Sequence, residues 1–182
     1  MGCRQSSTAL SPMERMAFDY ILTQIPIQCQ QKIIDLPKRK FLETYQNHLD
    51  AENHIREEKY LAAIDCECQA IDDLSKLLHP DIDHFIFADM NKLLSICYWH
   101  MEKLDKAYTR GQTALTLRLK HTPDDHKEIS LQYSRLVSIC IMQSNWKQAD
   151  EYLQKAIVTA RLSTDMPQGF VQGLEQILTY FK

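Results

Sequence analysis

Glycine is scarce in this chain, with 4 in 182 residues. That is roughly a third of the usual ~7%, too little to build a phosphate cradle. None of G-x-x-x-x-G-K-[ST], G-x-G-x-x-G or G-x-S-x-G occurs, which argues against nucleotide chemistry and against the nucleophile elbow of the hydrolases. Long apolar runs are also missing. The stretch Leu93-Leu94-Ser95-Ile96-Cys97-Tyr98-Trp99 falls far short of the ~20 residues that cross a bilayer. No apolar stretch follows Met1, so neither a spanning segment nor a secretory leader is expected. Charge of one sign is absent as well. The net value of −3, from 21 basic and 24 acidic residues, fits neither an acidic tail nor a nucleic-acid binder driven by a positive field.

The cysteines form no paired framework. Cys3, Cys29, Cys66, Cys68, Cys97 and Cys140, without a leader, predict a reducing, cytoplasmic compartment and mostly buried free thiols. Cys66 and Cys68 point roughly 200° apart on a helix, the wrong geometry for one metal ion. His79, His84, His121 and His126 cluster near two Pro-Asp corners and read as solvated or capping side chains. Asp72-Asp73 and Asp124-Asp125 read as helix-end charges rather than an acid/base pair. Lys38-Arg39-Lys40 reads as a solvated helix start. No catalytic residue, metal, cofactor, nucleic acid or small-molecule substrate is expected, and the chain is not read as an enzyme.

What is plentiful is Met, Gln, Leu and Ile, a balance that favours helices, and a chain this long buries roughly 70% of its unfolded surface without staples. The expected class is all-α. At the start, Met1-Gly2-Cys3-Arg4-Gln5-Ser6 fits M-G-x-x-x-[ST], in which Gly2 would take myristate and Cys3 would be placed for palmitate. One myristoyl chain binds membranes only marginally, so the second acyl chain matters. Arg4 and Arg15 are isolated and form no polybasic segment. The same few residues resemble the acylated N-termini of G-protein α subunits and Src-like kinases, a likeness that carries nothing about the fold.

Tyr60 with Ala63 and Ala70, Leu104 with Ala107 and Ala114, and Trp146 with Ala149 and Ala156 form one pattern three times, offset by 44 and then 42 residues. Two small residues seven apart share a helix face and let a neighbouring helix approach closely. The preceding segments repeat too. Leu94-Ser95-Ile96-Cys97 returns as Val137-Ser138-Ile139-Cys140, and Pro80-Asp81 as Pro123-Asp124, each proline expected to restart a helix. The unit is therefore helix, short turn, helix, Pro-Asp. First helices are expected over 38–56, 81–100 and 125–143, and second helices over 59–77, 103–120 and 146–162.

On these residues the chain resembles a tetratricopeptide-repeat protein. The long period, with His79-Pro80-Asp81 and Met90-Asn91-Lys92-Leu93-Leu94, looks like the kinesin-light-chain variety of the repeat. The resemblance covers about residues 40–165. It departs from the pattern in lacking the usual inter-helix glycine and in having Tyr133-Ser134-Arg135 where an asparagine pair stands in that variety. It implies a right-handed α-solenoid of three helix pairs (38–79, 80–122 and 123–166) whose first helices line a concave groove. The groove positions would be Tyr45, His48, Glu52, Asp89, Lys92, Ile96, Trp99, Ser134, Arg135, Ser138 and Met142. The family's clamp for a chaperone's C-terminal carboxylate falls on His48, Glu52, Leu93, Leu131 and Arg135, of which only Arg135 matches. A peptide carrying an aromatic and an acidic residue is the expected ligand.

Three repeats need caps. Residues 1–10 read as a disordered terminus. Over 11–37, Ser11-Pro12 and Glu14 signal a helix start, and Pro26 and Pro37 divide the region into helices over 12–24 and 27–35, with Met13, Met16, Ala17, Tyr20 and Ile21 expected inward. These helices either cap the first repeat or fold back into the groove. Residues 167–182 read as a terminal capping helix. The expected function is a non-enzymatic adaptor holding a protein or peptide partner, tethered by its acyl chains to a cytoplasmic membrane face. Its alternatives are a soluble subunit of a larger complex whose groove is filled by residues 12–36, or a piece of a longer repeat protein.

Overall fold

The computed structural model describes residues 10–78 and 84–181. Gly2, Cys3, His79, Pro80 and Asp81 lie outside the described residues. Among those described there are helices and no strands: α1 (Pro12–Thr23), α2 (Ile27–Ile34), α3 (Lys38–Arg56), α4 (Tyr60–Leu78), α5 (Ile86–His100), α6 (Leu104–His121), α7 (His126–Met142), α8 (Trp146–Leu162) and α9 (Phe170–Thr179). The chain is an all-α solenoid. α3 pairs with α4, α5 with α6 and α7 with α8, and the pairs stack in sequence with α9 against α8. Among the described residues no helix is long and apolar enough to cross a membrane.

The six anchor alanines explain the stacking. Ala63 is 1% exposed and Ala70, Ala107, Ala114, Ala149 and Ala156 are at 0%, so the second helices present no side-chain bulk where the next helix crosses. Polar side chains then clip the backbones together. Ser95 Oγ–H donates to the Ala107 carbonyl at 2.7 Å, Ser130 Oγ–H to that of Ala156 at 2.9 Å, and Gln132 Nε2–H to that of Gly111 at 3.0 Å. Gly111 is needed there. A Cβ on it would stand 2.9 Å from Leu136 Cδ2 and 3.0 Å from Ser95 Oγ.

The three inter-helix turns are one motif without glycine. Glu58, Glu102 and Ser144 adopt left-handed φ of 58°, 56° and 58°, each directly after the C-cap residue of a first helix. The next N–H returns to a carbonyl five residues back, Lys59 to His54 at 2.8 Å, Lys103 to Tyr98 at 2.9 Å and Asn145 to Cys140 at 2.8 Å. This is the Schellman closure, in which that position ordinarily favours glycine.

α5 is described from Ile86, its expected start at 81 lying outside the described residues, and His84 braces that first turn. Its Nδ1 accepts from the Ile86 N–H at 3.1 Å, while Nε2 lies 2.9 Å from the Cys29 carbonyl oxygen, to which it donates. The imidazole is buried and burial lowers its pKa. Pro123 does not sit in a first turn; it lies in the connecting turn, and Asp125 caps α7 by accepting from the Glu128 N–H at 3.2 Å.

Another correction concerns α1. Ser11 and Glu14 form a reciprocal capping box, as their spacing suggests, but the buried face is Phe18 and Ile21. Met13 is 81% exposed, Met16 74% and Tyr20 68%, and Ala17 is exposed too, so four of the five residues expected inward face outward. Phe18 takes the inner position by meeting Phe41 of α3 edge-on, with ring centroids 5.7 Å apart. Together with Leu10, Ile25, Cys29 and Ile33, α1 and α2 build one core with Phe41, Leu74, Leu78, Phe85 and Met90. A second core runs through Ala63, Leu94, Ala107, Leu136, Leu153 and Leu174. Cys29, Cys97 and Cys140 are buried, Cys66 and Cys68 half-buried, and all five are free thiols.

Candidate functional site

α5 and α7 run side by side as first helices, and between them lies a half-open cavity of about 120 Å³ lined by Ser95, Ile96, Trp99, Arg135, Ser138 and Ile139. Four of these, Ile96, Trp99, Arg135 and Ser138, are groove positions the repeat pattern indicates. Ser95 and Ile139 join them because each first helix turns its inner edge toward the cleft. The lining is mostly apolar, and its polar members are strategically placed. The buried Trp99 Nε1–H has no hydrogen-bond partner. Arg135 donates from Nη1 to Gln132 Oε1 at 3.3 Å. Burial lowers its pKa, with the charge of Glu128 opposing; a guanidinium so placed remains a cation at neutral pH.

A second group gathers where α3, α4 and α5 meet. His48 is 4% exposed and its Nδ1 stands 2.8 Å from Glu67 Oε1. Burial opposes charge on His48, but the Glu67 hydrogen bond and charge outweigh it and raise the pKa. Burial raises the Glu67 pKa, and His48 only partly offsets this. His48 is thus placed in the interior, its Nδ1 engaged by Glu67, which the helical pattern gives no reason to single out. Tyr45 stacks on Phe41 at 5.7 Å, and Glu52 is half-buried on the same helix.

Asp89 and Lys92 form a close pair at 2.6 Å. Asp89 also receives Arg118 Nη2 at 2.7 Å. Burial alone would raise the Asp89 pKa; Lys92 and Arg118 outweigh it and lower it. Arg118 has a side chain only 4% exposed, and it also faces Asp125 at 3.6 Å and Glu128 at 3.7 Å, with its guanidinium 5.6 Å from the Phe85 ring centroid. It ties α6 to both neighbouring first helices. Of the remaining pattern positions, Ser134 is half-buried, its carbonyl accepting from Ser138 Oγ–H at 3.4 Å. Met142 is 45% exposed and does not line the cavity.

No group of three His, Cys, Asp or Glu side chains able to hold a metal ion occurs among the described residues. The architecture is a stack of tetratricopeptide-type helix pairs. Among solved structures it is similar to the N-terminal domain of stress-induced protein-1 from C. elegans, with a TM-score of 0.56 and 12% identity over 76% of this chain and 96% of that one. It is also similar to the first tetratricopeptide domain of Spaghetti (RPAP3) bound to the HSP90 peptide SRMEEVD, with a TM-score of 0.52 and 14% identity over 75% and 93%. Comparison with protein-family models and with curated proteins gives no match.

Proposed function

We propose that the protein is a non-enzymatic adaptor of the kinesin-light-chain-like repeat variety that holds a partner peptide along its first helices, with the α5/α7 cavity as the anchoring point. The cavity carries this reading. Its volume of about 120 Å³ approaches that of an engineered apolar cavity that accepts benzene, which suits one aromatic or branched side chain. Arg135, which lines the cavity, offers a charged donor to an acidic residue or carbonyl beside it. A neighbouring fold of this type is bound to an acidic peptide, which supports a peptide as the ligand class. The chaperone-tail chemistry does not carry over, because at the clamp positions His48 is buried on Glu67 and Glu52 is acidic. Residues of α1 and α2 do not line this cavity, which favours an open groove over one filled by residues 12–36.

Peptide display panned on the full chain tests it. Enrichment of sequences pairing an apolar with an acidic residue, lost on Trp99→Ala, Arg135→Glu and Lys92→Glu, is the expected result. Enrichment indifferent to all three substitutions would refute the site.

The same reading places the adaptor at a cytoplasmic membrane face through myristate on Gly2 and palmitate on Cys3, on the strength of the N-terminal motif. Metabolic labelling with azide-bearing myristate and palmitate, comparing wild type with Gly2→Ala and Cys3→Ser, checks it. No label on the wild type would remove the tether and leave the groove reading intact.

A further inference from the structure

Lys92 is a groove position, yet it does not line the cavity. Asp89, Lys92, Ile96 and Trp99 stand at i, i+3, i+7 and i+10 on α5 and so share one face, with Ile96 and Trp99 in the cavity wall. The direction of the lysine side chain explains its absence there. Long side chains on a helix lean toward the N-terminus, and Lys92 Nζ donates to Asp89 Oδ1 at 2.6 Å, one turn back and away from the cavity. Among the described residues it makes no other bond. With side-chain exposures of 21% for Lys92 and 37% for Asp89, the pair is half withdrawn from water, and the lysine charge is neutralised internally rather than offered to the groove.

Asp89 does not depend on Lys92 in return. The same oxygen, Oδ1, also accepts from Arg118 Nη2 at 2.7 Å, and Arg118 is itself held by Asp125 and Glu128 at 3.6 and 3.7 Å. Removing the sole cation from a buried carboxylate is strongly unfavourable. Asp89 would keep Arg118. Lys92 can therefore change partners without orphaning Asp89, and its flexible four-carbon stem lets Nζ swing to a new acceptor. A ligand carboxylate replaces the ion pair that Lys92 gives up, which a neutral amide or hydroxyl does not.

We propose that Asp89 is an internal competitor for the acidic residue of the bound peptide. In the empty protein it holds Lys92 away from the α5/α7 cavity; a peptide carboxylate seated beside that cavity takes Lys92 over, while Arg118 retains Asp89. This deepens the adaptor reading and rests on its groove. Its consequence is a gain of function: Asp89→Asn frees Lys92 and tightens an acidic peptide, whereas an Asp89 that touched the peptide directly would lose affinity on the same change.

The probe is the acidic peptide most enriched by display on the wild-type chain, fluorescently labelled, beside a counterpart whose acidic residue is replaced by its amide. Fluorescence anisotropy with the full chain compares wild type, Asp89→Asn, Lys92→Ala and the double variant. Asp89→Asn leaves Arg118 between Asp125 and Glu128, and far-UV circular dichroism verifies its fold. The acidic peptide should bind Asp89→Asn about two- to fivefold more tightly, the range for releasing an ion pair still reached by water. No gain is expected for the amide peptide, nor from Asp89→Asn in the Lys92→Ala background. Unchanged or weakened binding overturns the proposal, and so does a gain that persists without Lys92, which would be the general field of a removed negative charge. The wild-type complex decides without any variant: nuclear Overhauser contacts between the Lys92 ε-methylene and the acidic side chain of the peptide are expected, and their absence overturns the exchange. Should display enrich no peptide, the groove reading itself fails. Acetylation of Lys92 in the peptide-free protein then still tests the hold, faster modification in Asp89→Asn supporting it and an equal rate refuting it.

Discussion

Replacing Glu58, Glu102 and Ser144 with glycine should stabilise the protein, although no contact is added. Each holds φ between 56° and 58°, where the Cβ of an L-residue crowds the following carbonyl at about 1–2 kcal/mol. Glycine relieves that crowding but enlarges the unfolded ensemble, returning about 0.4–1 kcal/mol, so each substitution should gain roughly 0.5–1 kcal/mol. The sites are one per repeat, 44 and 42 residues apart, share no partners, and should add. The triple variant is therefore expected to gain about 2 kcal/mol, a rise of roughly 4–8 °C in Tm for a chain of this size. Thermal melts followed at 222 nm, with urea titrations giving an unchanged m-value, measure it. A triple variant with unchanged or lower Tm would refute the claim that these turns hold strain, and would mean that the side chains at 58, 102 and 144 make up the difference.

Two further outcomes are expected. Arg118→Ala should cost about 2–3 kcal/mol, below the ~3–5 for a fully buried pair because its acidic partners are about one-third exposed, whereas Asp125→Ala, which touches only one arm and one cap, should cost about 1 kcal/mol; urea denaturation of both compares them. The two buried histidines should give stability slopes of opposite sign. The His48 pKa is raised above its ordinary 6.5, so its contribution is complete below that pH and is lost as pH climbs through the raised value. That of His84 is lowered, so its contribution is complete above 6.5 and lost as pH falls through the lowered value. Stability measured from pH 5 to 9 should lose its alkaline decline in His48→Gln and its acid decline in His84→Asn.

The repeat frame was legible because its signal is local: small residues seven apart on one helix mark a close crossing whatever the partner, and Ala63 through Ala156 do so three times. The α1 face was misread for a related reason. Met13, Met16, Ala17 and Tyr20 have the spacing of a core stripe, but Phe18 and Ile21 share the helix, and only the position of Phe41 decides which side faces in. Glu67 and Arg118 gave no signal at all. A charged residue buried on one helix is explained by partners on others, His48 for the first, and Asp89, Asp125 and Glu128 for the second, and no periodicity records such pairs. Arg118 reads in sequence as a cation closing a helix, a role in which solvent exposure is ordinary. The α5/α7 cavity was half legible, because the repeat alignment supplies Ile96, Trp99, Arg135 and Ser138 while Ser95 and Ile139 enter through helix rotation alone.

The first core has a mechanical consequence. Phe18, Ile21, Cys29 and Ile33 interleave with Phe41, Leu74, Leu78 and Met90, so the N-terminal helices are welded to the first repeat rather than strung from it as a leash. A load applied to α1 passes directly into the solenoid, without slack. Whatever the groove holds would move as one rigid body with α1, in a fixed direction, instead of sampling the volume that helices hung on a flexible linker would sweep.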